Sequence, residues 1–308
     1  METVRLAISA MKTRFEIVLV GEDESCLRAS GEEALREITA LELRLSYYSD
    51  KSELSRINRR AAFEPISLAP DLFGLLRDAK RFVKISSGAF DPAIGPLMRC
   101  WGFVGGGGSV PDPDQLVAMR AISGFEHVAL DEKSMCIRFQ KEGLEIDLGG
   151  IAKGYALDQV ASILKEHGIS NALLHGGTST VVGIGNSYDG TPWRIGIQDG
   201  DTILGTVELR DCALSVSAPS GKYFTHGERT YSHVLDPRTG EPVSGTAISA
   251  VVSRTATKCD ALSTAALVLG RDAGQIHDPE TGVGVWANAD PYSVLFLEGL
   301  PAFQRNQS

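Results

Sequence analysis

Ile146-Asp147-Leu148-Gly149-Gly150-Ile151-Ala152-Lys153-Gly154-Tyr155-Ala156-Leu157-Asp158 is the stretch that decides the reading of this chain. Just upstream and into it, residues 144–148 alternate apolar and polar side chains, the period of a short strand. Downstream, Ala156, Val160, Ile163 and Leu164 recur at helical spacing, and Gly168 after His167 supplies a helix stop. The predicted order is strand, Gly-Gly, helix. Glycines at that junction let a ligand approach the backbone, and a helix N-terminus offers N–H groups to phosphate oxygens. Lys153 adds a cation in the first turn. The same Gly pair also serves as ordinary turn punctuation. Neither a P-loop nor G-x-G-x-x-G is present, so the stretch suggests phosphate and names no nucleotide.

Outward from there, the chain mixes helices and strands without a regular βαβ alternation, which favours an α+β fold over a doubly wound sheet. Residues 4–20 read as two strands or one bent strand around Met11-Lys12-Thr13. Helices are expected at 30–45, at 52–58 as a short turn, at 70–86 and at 94–101. Gly105 to Gly108 with Pro111 and Pro113 reads as a surface loop without chemistry. Strands are expected at 128–130, 135–139, 172–175, 181–185, 193–198, 203–209, 213–217, 231–235, 248–252, 283–287 and 293–296. A helix at 260–269, apolar nearly all round and closed by Gly270, reads as buried. A helix-rich part of about residues 1–125 thus precedes a strand-rich part, 126–308, in what reads as a single domain.

Composition narrows the class. The 308 residues carry 43% hydrophobic and 22% charged side chains, enough for a full core. A net charge of −9 argues against a nucleic-acid surface, which needs clustered Lys and Arg, but leaves room for a local anion site in a cleft. Five cysteines at irregular spacing form neither a disulfide framework nor a zinc pattern. No run approaches the ~18 apolar residues of a membrane span. The opening residues show no basic segment leading into an apolar core. The expected location is cytoplasmic, or periplasmic or membrane-associated if a leader has been removed.

Three places could carry chemistry. Asp260 and Thr264 lie four residues apart on the last helix, so a carboxylate and a hydroxyl share one face. That is half a shell for a hard cation, or alternatively a helix N-cap and a back-bonded threonine. His233, just before the Asp236-Pro237 turn, is either a general base or a core histidine. Asp91 precedes Pro92, where a turn role is the default. No G-x-S-x-G elbow and no H-E-x-x-H motif occurs, so serine-triad and zincin hydrolysis are set aside.

Read together, several blocks resemble the FAD:protein FMN transferase family, also called the ApbE family. They are Ser52-Glu53-Leu54-Ser55-Arg56-Ile57-Asn58, Gly88-Ala89-Phe90-Asp91-Pro92 with Gly95-Pro96-Leu97 and Trp101-Gly102-Phe103, residues 147–158, Trp193-Arg194-Ile195-Gly196-Ile197-Gln198-Asp199, residues 233–242, and Asp260-Ala261-Leu262-Ser263-Thr264. The resemblance implies a two-lobed α+β fold with mixed, largely antiparallel sheets flanked by helices and FAD in the cleft between lobes. It implies an enzyme that splits FAD, attaches FMN through a phosphoester to a Thr or Ser of an acceptor flavoprotein, and releases AMP. On the family pattern Asp260, Thr264 and the Gly150 carbonyl would hold Mg²⁺. Met11, Tyr48, Ala89, Phe90, Asp91, Asp147 and Lys153 would line the FAD site, and His233 would stand nearest to a general base.

Departures from the pattern are equally specific. Lys12 replaces a usual glycine, Thr178 a usual Asn or Asp, and Ser217-Ala218-Pro219-Ser220 stands where Ser-Gly-Asp-Tyr is usual. They motivate two other readings: a flavin binder without transfer, and an FAD pyrophosphatase in which water replaces the acceptor hydroxyl.

Overall fold

A computed structural model describes residues 1–219, 223–244, 246–276, 278, 281–287, 290–295 and 303–305. Ser220 and Phe296 lie outside the described residues. The strands are β1 (Glu2–Ala10), β2 (Thr13–Gly21), β3 (Ile66–Ser67), β4 (Val128–Asp131), β5 (Cys136–Phe139), β6 (Asn171–Gly176), β7 (Thr180–Ile184), β8 (Trp193–Asp199), β9 (Thr202–Leu209), β10 (Cys212–Ser217), β11 (Tyr223–His226), β12 (Arg229–Ser232), β13 (Thr246–Ser253), β14 (Gly282–Ala287), β15 (Asp290–Leu295) and β16 (Phe303–Arg305). The helices are α1 (Glu24–Leu45), α2 (Glu53–Arg60), α3 (Pro70–Ile85), α4 (Gly95–Cys100), α5 (Pro113–Ile122), α6 (Ala152–Glu166) and α7 (Ala256–Leu269).

An antiparallel eight-stranded sheet, in the order β1-β2-β6-β7-β10-β13-β14-β15, forms the centre of the α+β fold. Alternation sorts its two faces. Phe15, Ile17, Leu19, Leu174, Val182, Ala213 and Val251 point to the side covered by α1, α6 and α7. Val20, Val181, Cys212, Leu214, Ile248 and Ala250 point the other way, onto Trp193, Ile197, Val207 and Leu209 of the small β16-β9-β8 sheet. The middle strands β7 and β10 are buried on both faces and read as nearly continuous apolar runs, whereas the edge strand β1 alternates with exposed Thr3, Arg5, Ala7 and Ser9 on one face.

The first hairpin closes on Met11 and Lys12, both left-handed (φ 50° and 60°), the type I′ geometry that matches strand twist. Here the chain makes two strands, not one. α1 begins at Glu24 rather than at residue 30, because the Asp23 carboxylate caps Ser25 N and Cys26 N.

Three expectations are corrected. Residues 144–148 do alternate, with Leu144, Ile146 and Leu148 buried, but they join no sheet. Their backbone is satisfied by loop and side-chain atoms: Asn58 Oδ1 accepts from Ile146 N at 2.8 Å, and Pro92 O accepts from Asp147 N at 2.7 Å. The stretch after the four glycines is not all loop, since Pro113 opens α5 under an Asp112 cap. Asp260 is not an N-cap: Thr255 caps α7, and Asp260 lies inside the helix.

A third cluster, Leu97, Trp101 and Leu235, takes in Phe103, Phe224 and Tyr231 and fastens the β11–β12 hairpin to α4. Gly108 belongs to it, because a Cβ there would collide with the Phe224 ring. No helix among the described residues is long and apolar enough to cross a membrane.

Candidate active site

One cleft of about 810 Å³ opens where the β1–β2 turn, the loop after α3, the Gly-Gly junction, the end of β10 and the segment after β12 meet. Met11, Tyr48, Ala89, Phe90, Asp91, Asp147, Gly150, Lys153, His233, Asp260 and Thr264 all line it. Residues as far apart in sequence as Met11 and Thr264 therefore face one space.

The floor is the contact between α6 and α7. Gly154 makes it possible, because a Cβ there would run into the Ala256 carbonyl. Asp158 fixes the register, its carboxylate accepting from Ala256 N and Thr257 N at 2.8 Å each, at the positive end of α7. Burial pushes the Asp158 carboxyl up from the ordinary range, against the lowering effect of those bonds.

Asp260 is 3% exposed and richly engaged. Lys153 Nζ donates to its Oδ1 at 3.1 Å and to its Oδ2 at 3.4 Å, Gly154 N donates to Oδ2 at 3.0 Å, and Thr180 Oγ1 donates to Oδ1 at 3.4 Å. The first turn of α6 is thus partly used: Gly154 N points at a carboxylate of the protein, and Ala152 N donates to Leu148 O. Thr264 Oγ1 donates back to Asp260 O at 3.2 Å, and a Cβ built on Gly150 would stand 3.5 Å from that hydroxyl oxygen. One carboxylate, one hydroxyl and a neighbouring main-chain turn are all hard oxygen donors. No group of three or more His, Cys, Asp or Glu suited to a metal occurs among the described residues. A divalent ion here would draw the rest of its shell from phosphate and water, which suits Mg²⁺ and not zinc.

The walls are apolar and aromatic. Asp91 is turned away from a free role: its oxygens accept from Ala93 N at 2.8 Å and Phe125 N at 2.9 Å. Burial, the largest influence, raises its carboxyl to about 6. Asp147 Oδ1 accepts from Gly149 N at 2.8 Å and shapes the Gly-Gly turn. Lys12 lays its ammonium 3.1 Å from the centre of the Tyr48 ring, and Glu42 Oε1 accepts from Met11 N at 2.6 Å, holding the hairpin turn at the cleft. The left-handed backbone of Lys12 is the conformation a glycine takes without cost.

His233 is held from both sides. Ser232 Oγ accepts from Val234 N at 3.1 Å and donates to Pro219 O at 3.2 Å, while Val243 N donates to Val234 O at 2.8 Å. Trp101 Nε1 donates to Gly240 O at 2.8 Å beyond the turn. The departing segment Ser217-Ala218-Pro219 is thereby wired to the strand that delivers His233. Sequence reading missed Glu42 and the hydroxyls of Thr180, Ser215 and Ser263; for Thr180 and Ser215 the signal was a small hydroxyl residue where strands usually carry Val or Ile, while Glu42 and Ser263 lie in helices α1 and α7.

The family model described as the ApbE family matches residues 11–281. The chain belongs to the ApbE family. A Vibrio cholerae ApbE relative named FAD:protein FMN transferase is 31% identical over 285 residues, covering 89% of this chain and 83% of its own length. The Escherichia coli K12 protein of the same name is 29% identical over 255 residues, covering 79% and 71%. Among solved structures, the ApbE protein of Thermotoga maritima superposes with a TM-score of 0.88 at 28% identity over 96% of this chain and 97% of that one. The flavin transferase ApbE from Vibrio cholerae gives 0.84 at 28% identity over 96% and 97%. These neighbours share the mixed antiparallel architecture described above.

Proposed function

We propose that this ApbE chain is a single-domain, Mg²⁺-dependent FAD:protein FMN transferase that passes FMN to a Thr or Ser hydroxyl of an acceptor flavoprotein and releases AMP. The observation that carries the proposal is the convergence of Asp260, Thr264, Gly150 and Lys153 on the floor of the cleft that His233 also lines. The names of the relatives support the same reaction.

In this reading the isoalloxazine and adenine rings lie against the aromatic and apolar walls, with Met11, Tyr48, Ala89 and Phe90 in contact and Asp91 and Asp147 shaping the adjoining turns. Lys153 meets the pyrophosphate with its ammonium. Asp260, Thr264 and the Gly150 carbonyl would hold Mg²⁺, which supplies charge neutralisation to the pyrophosphate oxygens. The acceptor oxygen forms a bond to the FMN phosphorus as the bond from that phosphorus to the AMP oxygen breaks. His233 takes the acceptor proton, a contribution of about 10²–10⁴-fold for a placed base.

Intact-mass spectrometry of a candidate acceptor incubated with the protein, FAD and Mg²⁺ tests this. A covalent FMN adduct on the acceptor, absent with His233→Ala, is expected. FMN and AMP released with no adduct would replace the reading by an FAD pyrophosphatase, and bound but intact FAD by a flavin binder.

A further inference from the structure

Four hydroxyls run in line under the Asp260 carboxylate. Thr180 and Ser215 are directly opposed residues of β7 and β10, on the face turned to α7, and both are fully buried. Ser217 follows on the same face of β10, and Ser263 hangs from α7 between them. The links measure 3.4 Å from Thr180 Oγ1 to Asp260 Oδ1, 3.0 Å from Thr180 to Ser215, 3.2 Å from Ser263 to Ser215, and 2.8 Å between Ser217 and Ser263. Ser263 also stands 3.1 Å from Asp260 O, and its own carbonyl accepts from Ser249 Oγ of β13 at 2.6 Å.

Proton counting gives this line a direction. Each hydroxyl has one proton, and an ionised carboxylate only accepts. Thr180 spends its proton on Asp260, so Ser215 must donate to Thr180. Ser263 shares its one proton between Ser215 and the Asp260 carbonyl, and with that proton spent Ser217 donates to Ser263. Apart from the branch to Asp260 O, the hydroxyl-to-hydroxyl bonds run toward the carboxylate, and such chains strengthen their members. Burying the three hydroxyls of Thr180, Ser215 and Ser263 between a sheet and a helix is costly unless all are satisfied, and apolar residues would fill the same space more cheaply.

The geometry points to Thr180, Ser215 and Ser263 as positioning residues that hold the Asp260 carboxylate in the orientation required for a divalent cation, with Ser217 left presenting only lone pairs to the cleft. The inference rests on the metal reading of Asp260 proposed above and adds residues to it. Outer partners of metal-binding groups change affinity by roughly 10–100-fold when removed. Ser217, the outer end of the line, would accept a hydrogen bond from a hydroxyl or N–H of the ligand.

Mn²⁺ titrated into the protein with ADP present, followed by electron paramagnetic resonance, tests the idea. Thr180→Val keeps the shape and removes the hydroxyl, and its Mn²⁺ affinity should fall about tenfold or more. Thr180→Ser should restore it to within about twofold, a rescue that a packing role would not give. Ser263→Ala should weaken binding in the same direction. If Thr180→Val does not fold, the Thr180→Ser and Ser263→Ala pair decides. Affinity within about twofold of wild type in folded Thr180→Val, or in Ser263→Ala, overturns the positioning role. Asp260→Asn separates the two levels: a wild type whose Mn²⁺ binding is insensitive to that change overturns the metal reading itself.

Discussion

Lys153 Nζ stands 3.1 Å from Asp260 Oδ1, so the cation in the first turn of α6 neutralises the carboxylate buried inside α7. The pair links the two helices that form the cleft floor, and in the proposed reading it places a positive charge where an anionic substrate would meet a metal. Lys153 is the more exposed partner, at 23% against 4% for the Asp260 side chain.

Lys153→Met leaves that carboxylate with Gly154 N and Thr180 alone. We expect a loss of about 1–3 kcal/mol of stability, the cost of a buried acceptor stripped of one partner. Urea denaturation measures it. Added Mg²⁺ should restore part of the loss, because a bound cation replaces the missing charge. A variant as stable as wild type, with no response to Mg²⁺, would contradict this.

Gly154→Ala tests the close approach of the same helices. The new methyl meets the Ala256 carbonyl and the Thr257 amide, which are backbone and cannot rotate away. Overpacking of this kind costs roughly 1–3 kcal/mol. A denaturation midpoint equal to wild type would show that α6 and α7 have slack.

Much of this organisation was legible in the sequence, and the misses have physical causes. Local periodicity signalled α6, the glycine pair signalled the junction before it, and an all-round apolar run signalled α7 from residue 260, four residues after its start at Ala256. Residues 144–148 carry true strand alternation, but their partners are Asn58 and Pro92, which no local pattern names. Helix α5 escaped notice because it buries no residue fully, leaving only Pro113 and the Asp112 cap as signals. Asp260 was open to a capping reading because spacing shows a shared face and not where the helix starts. The line from Thr180 to Ser263 is made by sheet register, a long-range property.

Lys12 occupies a left-handed position and lies over Tyr48. Lys12→Ala keeps the backbone cost and loses the cation–π contact, so it should be less stable than wild type by about 0.5–1 kcal/mol. Lys12→Gly loses the contact but relieves a backbone cost of about 1 kcal/mol, and should therefore lie close to wild type. Chemical denaturation giving the order glycine above alanine is expected, and the reverse order would remove the turn argument.

Asp91 supplies a pH test. Its carboxyl is raised from 3.8 to about 6 by burial, so the folded state holds its proton more tightly than the unfolded chain. Stability from this group is present below pH 3.8 and is lost as pH rises through about 6, by roughly 3 kcal/mol at about 1.4 kcal/mol per pH unit. Comparing the pH dependence of urea stability in wild type and Asp91→Asn isolates it. Equal slopes between about pH 4 and 6 would contradict the assignment.

The most direct test of the proposed reaction is AMP release from FAD in the presence of Mg²⁺, measured for wild type and Asp260→Ala with and without an acceptor peptide bearing threonine. The transferase account predicts AMP only when acceptor is present, and its loss in Asp260→Ala. AMP formed equally without acceptor, or unchanged in Asp260→Ala, would contradict it.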